Sequence, residues 1–194
     1  MDIEQIIQEA RKGDVAAFEK LFELKKEKVF WLSFRIVGDR EDAREVSQLV
    51  FIRLWKMLAK YNPAYPFDSW LYRIVVNLSI DYYRRYTRKK RMDVQIEDVD
   101  TKVFSTRDKG PEKRHLVKEL ERVFLKLAAK LSPAQRTAFI LKEIENLSTE
   151  DIAGIMECTE STVRNHLFQG RRVLQEELRN RYPEYLPREK REDV

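Results

Sequence analysis

Hydrophobic residues recur at helical spacing along most of the chain, with charged residues between them. Glycines and a pair of prolines interrupt this pattern, at Gly13, at Gly38, and at Pro63 with Pro66. Such residues end helices because glycine adopts left-handed backbone easily and proline lacks an amide donor. The pattern therefore predicts four helices in the first half of the chain, at 2–12, 15–37, 40–59 and 67 to about 83.

The segment 67–91 combines an aromatic start, a mostly apolar stripe and a basic end. Phe67 and Trp70 are expected to anchor the helix in the core, and six of the eight residues from Arg84 to Arg91 are cationic. The predicted stripe consists of Trp70, Ile74, Asn77, Leu78 and Asp81. A helix that is buried on one side and basic at its end suits a polyanion such as DNA. The alternative is a solvated charge run that closes an ordinary helix.

Residues 92–112 are polar and acidic, and Gly110-Pro111 ends them, so they are expected to link two domains. Helical periodicity returns from His115, and Ser132-Pro133 predicts the start of a new helix. The predicted fold class is all-α, with two small helical domains joined by a flexible linker. The predicted ranges are 1–91 for the first domain, 92–112 for the linker, 113–182 for the second domain and 183–194 for a polar tail.

Residues 147–179 predict a helix-turn-helix. Ser148 and Asp151 form a capping box, Glu157-Cys158 makes the turn, and Thr159 caps the second helix. The face of the second helix opposite its apolar stripe carries Ser161, Arg164, Asn165, Phe168, Gln169, Arg171 and Arg172. Arginine suits guanine, asparagine or glutamine suits adenine, and phenylalanine suits the thymine methyl group. The alternative is a plain helical hairpin with a charged outer face.

Composition narrows the function classes. The 194 residues carry 37% charged side chains and a net charge of +5, which favours an anionic partner. One cysteine excludes an internal disulfide and a cysteine-based zinc site. With two histidines and no glycine-rich phosphate loop, no catalytic constellation is visible, so no cofactor, metal or enzymatic activity is expected.

No apolar run reaches the ~18 residues that a membrane span needs, and the N-terminus does not resemble a signal peptide, so a cytoplasmic protein without membrane insertion is expected.

Four blocks together resemble a bacterial RNA polymerase sigma factor of the extracytoplasmic-function (ECF) group, in the sigma-70 family. They lie at 13–30, 42–56, 67–85 and 131–174, in the family's order. The block FDSWLYRIVVNLSIDYYRR at 67–85 is a very specific match to the family's promoter −10 block. The resemblance covers roughly residues 10–180. It implies an alternative sigma factor that binds core RNA polymerase and directs initiation at −10 and −35 elements.

The resemblance also implies roles for individual residues. The docking set, expected to face the clamp helices of the polymerase's largest subunit, is Asp42, Glu45, Gln48, Phe51 and Leu54. Leu49 and Arg44 stand where the family commonly has acidic residues. The −10 set is Tyr61, Asn62, Tyr65, Arg73, Asn77, Arg84 and Arg85, with the loop at 61–66 expected to capture an unstacked base. The alternative for Tyr61 or Tyr65 is packing against the helical bundle.

In the second domain, the resemblance assigns the polar face at Arg164, Asn165, Phe168 and Gln169 to the −35 duplex. It further implies contact with the flap of the polymerase's second-largest subunit and inhibition by an anti-sigma factor. One competing hypothesis is a free-standing regulator that uses only the helix-turn-helix, which would leave the blocks between 42 and 85 unused. The other is an enzyme.

Overall fold

The computed structural model describes residues 2–87 and 123–183. Over these ranges every regular element is helical, as predicted, and no helix within them is both long and apolar enough to cross a membrane. The predicted linker at 92–112, the basic residues at 88–91, the start of the second domain and the tail after 183 lie outside the described residues.

The first part of the chain contains four α-helices. These are α1 (Ile3–Arg11), α2 (Val15–Val37), α3 (Arg40–Met57) and α4 (Phe67–Tyr82). A 3₁₀ turn, Leu58–Lys60, follows α3, and a π-helical turn, Tyr83–Thr87, continues α4. The predicted boundaries therefore hold to within two residues at each interior end.

The second part begins with a helical stretch at 123–128. Its named helices are α5 (Pro133–Phe139), α6 (Thr149–Met156) and α7 (Glu160–Arg181), and a π-helical segment, Ile140–Ile144, extends α5. Ser132 caps α5 and Pro133 is its first residue, as predicted. Asn146, at φ 56°, ends the extension in the left-handed conformation.

Helix ends in the first domain follow the sequence signals closely. Asp14 caps α2 by accepting a hydrogen bond from the Ala17 amide at 3.0 Å. Gly38 ends α2 at φ 84° and donates its amide to the Phe34 carbonyl at 2.8 Å. Asp39 then caps α3. The short connection directs α3 back along α2, and the two helices pack together.

Helix α4 is buried more widely than a single stripe predicts. It packs against α2, α3 and α6, so contacts surround much of its circumference. Leu71, Val75 and Ser79 are fully buried, whereas Asn77 and Asp81 are exposed. Asn77 and Asp81, expected as polar exceptions on or beside the apolar stripe, therefore lie on the outer face of α4.

The two domains pack against each other. Helix α6 lies on α4, α5 approaches α2, and buried residues of both parts belong to one hydrophobic cluster. Ile152 and Ile155 of α6 contribute to this cluster alongside Val76 of α4. The −10 and −35 candidate surfaces therefore belong to one packed body over the described residues.

Candidate nucleic-acid interface

The helix-turn-helix is built by side-chain caps at each break. Thr159 caps α7 by accepting the Thr162 amide at 3.2 Å, as predicted. Ser148 accepts the Asp151 amide at 3.0 Å, but its hydroxyl donates to the Asp151 carboxylate at 2.6 Å, so the reciprocal capping box predicted there is absent. The reciprocal arrangement occurs instead at Ser132 and Gln135.

The outer face of α7 presents the predicted −35 set. Val163 and Leu167 are buried beneath it, and Gln169 is half-buried. The other six predicted residues are exposed: Ser161, Arg164, Asn165, Phe168, Arg171 and Arg172. Phe168, with 62% of its surface exposed, is a large apolar side chain held in solvent, as a thymine-methyl contact requires.

Acidic side chains position two of the arginines on this face. Arg164 Nη1 lies 3.0 Å from Glu160 Oε2, and Arg171 Nη2 lies 2.6 Å from Glu143 Oε1. A shallow depression of about 360 Å³ runs between these side chains, and Gln175 completes its lining one turn further along the helix. Sequence reasoning missed Gln175, although its spacing from Phe168 (i, i+7) places it on the same face.

The loop between α3 and α4 divides its two tyrosines between core and solvent. Tyr61 is only 6% exposed, and its ring lies 5.3 Å from Phe67 and 5.2 Å from Trp70. Its hydroxyl donates to the Tyr65 carbonyl at 2.6 Å, and burial raises its pKa. The expectation that Tyr61 captures a base is therefore corrected, because its faces are already covered. Tyr65 is 67% exposed.

Asn62 lies in the same loop and is exposed. Its side-chain oxygen accepts the Ala64 amide at 3.0 Å, which shapes the turn. Phe67 is buried and Trp70 is half-buried, and both pack on Tyr61 as core anchors. The loop thus exposes the Tyr65 ring and the Asn62 amide next to the packed rings of Tyr61, Phe67 and Trp70.

The exposed side of α4 carries the other members of the −10 set. Arg73, Asn77, Arg84 and Arg85 are all exposed. Arg73, Asn77 and Arg84 follow one another at i, i+4 and i+11, which places them in one row along the helix and its π-helical extension, and Arg85 comes directly after this row. Arg73 Nε and Nη2 each lie 2.7 Å from Glu157 Oε1, and Asn77 Nδ2 lies 3.4 Å from the same oxygen. Glu157 belongs to the helix-turn-helix turn, so the −10 row contacts the second domain.

Helix α3 presents only part of the predicted docking set. Glu45 and Gln48 are exposed, as expected. Asp42, Phe51 and Leu54 are buried, and Leu54 has no exposed surface at all. The Phe51 ring packs edge-on against Phe22, with centroids 4.6 Å apart. These three residues are corrected from surface contacts to packing residues, because α3 turns them toward the rest of the bundle.

Three apolar residues occupy the outer face of α3 instead. Leu49, Ile52 and Trp55 are exposed by 40%, 52% and 40%, and they follow one another at i, i+3 and i+6. Large apolar side chains grouped in solvent indicate a binding surface. Sequence reasoning missed Ile52 and Trp55, because the apolar run at 49–52 does not show which of its residues face outward.

Tyr82 connects α3 with α4. Its hydroxyl lies 2.7 Å from Glu45 Oε2 and 3.2 Å from Asp42 Oδ1. Burial, the hydrogen bond to Glu45 and the two negative charges raise the pKa of Tyr82 well above its ordinary value. The hydroxyl therefore stays protonated and holds the Glu45 carboxylate in place on the rim of the apolar patch.

An apolar groove crosses the second domain beside the outer face of α7, and Arg171 and Gln175 border both. Its volume is about 320 Å³, and its lining includes Val123, Phe124, Leu127, Phe139, Leu174 and Leu178. The Phe124 and Phe139 rings stack in its floor with centroids 6.0 Å apart. Such a groove fits the apolar face of a helix from another protein.

Within residues 2–87 and 123–183, no group of three or more His, Cys, Asp or Glu side chains is placed to hold a metal ion. The single cysteine, Cys158, is half-buried in the turn of the helix-turn-helix, and burial raises its pKa. The thiol is therefore less reactive than an exposed one.

Comparison with known proteins gives matches over both halves. The family models that match are Sigma-70 region 2 at residues 21–89 and Sigma-70, region 4 at residues 121–174. The RNA polymerase sigma-H factor of Pseudomonas aeruginosa is 32% identical over 182 residues, which span 90% of this chain and 93% of that protein. The ECF RNA polymerase sigma-E factor of Haemophilus influenzae is 33% identical over 177 residues, 89% of this chain and 93% of the relative.

The fold also matches a solved structure. The co-crystal structure of the sigma factor RpoE with the anti-sigma factor NepR from Bartonella quintana gives a TM-score of 0.64 at 22% identity. The match covers 85% of this chain and 98% of that one. At this identity the similarity shows a shared two-domain helical fold.

Proposed function

Because this chain belongs to the ECF sigma factors of the sigma-70 family, we propose that it is a dissociable, non-enzymatic initiation subunit of bacterial RNA polymerase. It directs core enzyme to promoters through −10 and −35 elements. One observation carries this proposal: a single chain combines an exposed apolar docking patch, a basic and amide row on α4, and a helix-turn-helix.

The docking patch engages the clamp helices of the polymerase's largest subunit. Leu49, Ile52 and Trp55 supply its apolar centre, and Glu45 and Gln48 supply a polar rim. Protein interfaces commonly have this arrangement, in which the centre excludes water and the rim sets the orientation. The Glu45 carboxylate on this rim favours a basic side chain on the opposing helix.

The loop and α4 hold the melted −10 strand. Tyr65 offers an exposed ring for stacking, which contributes ~1–3 kcal/mol per base and offsets the cost of unstacking. Asn62 and Asn77 offer amide edges, and Arg84 and Arg85 offer charge for phosphates. Arg73 joins this row once Glu157 releases it.

The second domain binds the −35 duplex with the N-terminal half of α7 in the major groove. Arg164, Asn165, Phe168 and Gln169 face the base edges, while Arg171 and Arg172 lie toward phosphate. Ser161, at the start of α7, is placed to contact the backbone. Because both domains sit on one enzyme, two weak DNA contacts add through effective concentration.

Two further partners follow from the same surfaces. The apolar groove lined by Phe124, Phe139 and Leu178 accommodates the flap of the second-largest subunit. An anti-sigma factor holds the protein inactive by covering the docking and DNA surfaces, in keeping with the solved relative bound to the anti-sigma factor NepR. We place the protein in the cytoplasm, where its polymerase and DNA partners are.

The proposal is tested by footprinting with purified core polymerase on fragments of host genomic DNA. We expect two protected segments on one fragment, with permanganate-reactive thymines in the downstream segment, and both should require core enzyme and this chain together. A single protected duplex segment that forms without core enzyme would instead establish a free-standing regulator. That result would remove the roles proposed for the α3 patch and for α4.

A further inference from the structure

We propose that Glu157 occupies the −10 strand site of the free protein, so that the helix-turn-helix domain closes over Arg73 and Asn77 until polymerase separates the two domains. This inference rests on the proposed function and adds an internal competitor for the promoter strand. The competitor is a carboxylate of the same chain.

The contact at Arg73 imitates the binding of a phosphate. Two guanidinium nitrogens, Nε and Nη2, each lie 2.7 Å from Glu157 Oε1, and the Asn77 amide lies 3.4 Å from the same atom. A phosphate oxygen accepts the same paired donors from arginine. The hydrogen bond from Arg73 lowers the pKa of Glu157, so the carboxylate is charged at neutral pH.

The backbone at Glu157 supports a specific role for this side chain. Glu157 ends α6 at φ 53° and ψ 45°, in the left-handed region. Glycine is the usual residue at such a helix end, because a side chain there costs conformational energy. A glutamate at this position supplies a carboxylate that glycine lacks, and this carboxylate contacts Arg73 and Asn77 on α4.

Other contacts hold the closed arrangement. Glu145 accepts a hydrogen bond from Arg35 Nη1 at 2.9 Å and another from the Tyr72 hydroxyl at 2.5 Å. Ile152 and Ile155 are buried where α6 packs on α4. The Glu157 contact thus lies at the edge of a packed interface. The packing of α6 on α4 holds the Glu157 carboxylate close to Arg73.

Closure engages two residues of one candidate DNA surface, Arg73 and Asn77, and leaves the other surfaces without such a contact. Arg164 and Phe168 on α7 are exposed in the closed protein, and so are Ile52 and Trp55 on α3. The closed protein can therefore dock on polymerase and meet duplex DNA, but a strand that binds along Arg73 must first displace the Glu157 carboxylate. This asymmetry gives an order of events: docking comes first, then domain separation, then strand capture.

The expected effect of removing the carboxylate is modest. Arg73 and Glu157 are both about half exposed, and exposed ion pairs are weak because solvent screens them. Removing the Glu157 charge should therefore tighten strand binding by up to about fivefold, the upper limit that such exposed pairs support. Glu157→Gly should act in the same direction and more strongly, because glutamine can still accept a hydrogen bond from Arg73 whereas glycine cannot, and glycine tolerates the backbone at φ 53°.

The experiment uses the full chain and a fluorescein-labelled non-template −10 strand from a promoter that the holoenzyme binds. Fluorescence anisotropy measures its affinity for the wild-type protein, for Glu157→Gln and Glu157→Gly, and for Glu150→Gln as control. Glu150 is exposed on the same helix, so the control makes the same change in net charge. We expect weak binding by wild type and control, and tighter binding by both Glu157 variants.

Two further readouts separate the possible outcomes. Affinity for the −35 duplex should be equal in all four proteins, and with core enzyme present all four should bind the −10 strand equally. If the free Glu157 variants bind the strand no better than Glu150→Gln, closure by Glu157 is wrong while the proposed function stands. If the holoenzyme binds no promoter fragment from which a strand could be taken, the proposed function is wrong and this inference falls with it.

Discussion

Arg136 Nη1 lies 2.9 Å from the carbonyl oxygen of Ile36, so a guanidinium from α5 caps the last turn of α2. Arg136 Nε also donates to the Ala128 carbonyl at 2.8 Å, and the guanidinium carbon lies 5.7 Å from the centroid of the Tyr83 ring. The last carbonyls of a helix lack partners within the helix, and Arg136 supplies one across the domain boundary. The side chain is buried, so this contact lies inside the molecule.

Replacing Arg136 with alanine is expected to destabilise the protein strongly. The change leaves two buried carbonyls without the charged donor, and each hydrogen bond to a charged group is worth about 1.5–3 kcal/mol. The free energy of unfolding should fall by about 3 kcal/mol or more, measured by urea denaturation followed by circular dichroism. Arg179→Ala, an exposed position on α7, is the control. Equal midpoints for the two variants would contradict the account.

Ile52 and Leu54 should respond in opposite ways to substitution. Ile52→Glu places a charge in the exposed apolar patch, so affinity for core polymerase should fall at least tenfold while the free energy of unfolding changes by about 0.5 kcal/mol or less. Leu54→Ala leaves a cavity in the core and should cost about 2–5 kcal/mol of stability. Titration with core enzyme and urea denaturation measure the two effects. Loss of core binding only in folded Leu54→Ala would restore the original docking set.

The docking helix shows where sequence reasoning succeeds and where it stops. The pattern located α3, its caps and its exposed Glu45 and Gln48. It could not fix the inward face, because four apolar residues follow in succession at 49–52. With apolar residues on every side, several helical phases are compatible with the sequence, and the phase is set by packing against other helices.

Contacts between distant segments were equally inaccessible from sequence. The helix-turn-helix and its exposed face were predictable because caps, turn and periodicity all lie within about thirty residues. Arg73 and Glu157, in contrast, are 84 positions apart, and no local signal pairs them. Tyr61 had two plausible environments, and the decision came from the Phe67 and Trp70 rings that enclose it.

Arg164→Ala should weaken binding to the −35 duplex by roughly 1–3 kcal/mol if this exposed residue contacts a base, as we propose. Anisotropy with a labelled −35 duplex at fixed salt concentration measures the change. Arg179→Ala, which removes the same charge near the far end of α7, should have a much smaller effect. Unchanged affinity for Arg164→Ala would remove this residue from the site.

Asp68 gives the first domain an acid-sensitive contact. Burial alone would raise its pKa, but Lys25 Nζ at 2.6 Å and Lys28 Nζ at 2.9 Å outweigh this effect and lower the pKa. A carboxylate whose pKa is lowered on folding stabilises the protein above its unfolded pKa. That contribution disappears as the pH falls through the folded pKa.

Asp68→Asn should therefore be less stable than wild type at neutral pH, and the difference should shrink as the pH falls from about 5 toward 2. Urea denaturation at several pH values measures this difference in the free energy of unfolding. Asp81→Asn, which removes an exposed carboxylate from the same helix, is the control. A difference for Asp68→Asn that stays constant with pH would show that the lysine contacts contribute no charge-dependent stability.

The central claim is that this chain gives core RNA polymerase its promoter specificity. Run-off transcription with purified core enzyme on fragmented host genomic DNA, with and without the protein, tests it most directly. We predict discrete new start sites that depend on the protein, that share upstream elements at −10 and −35, and that disappear with Ile52→Glu. Unchanged transcripts in the presence of properly folded protein would contradict the claim.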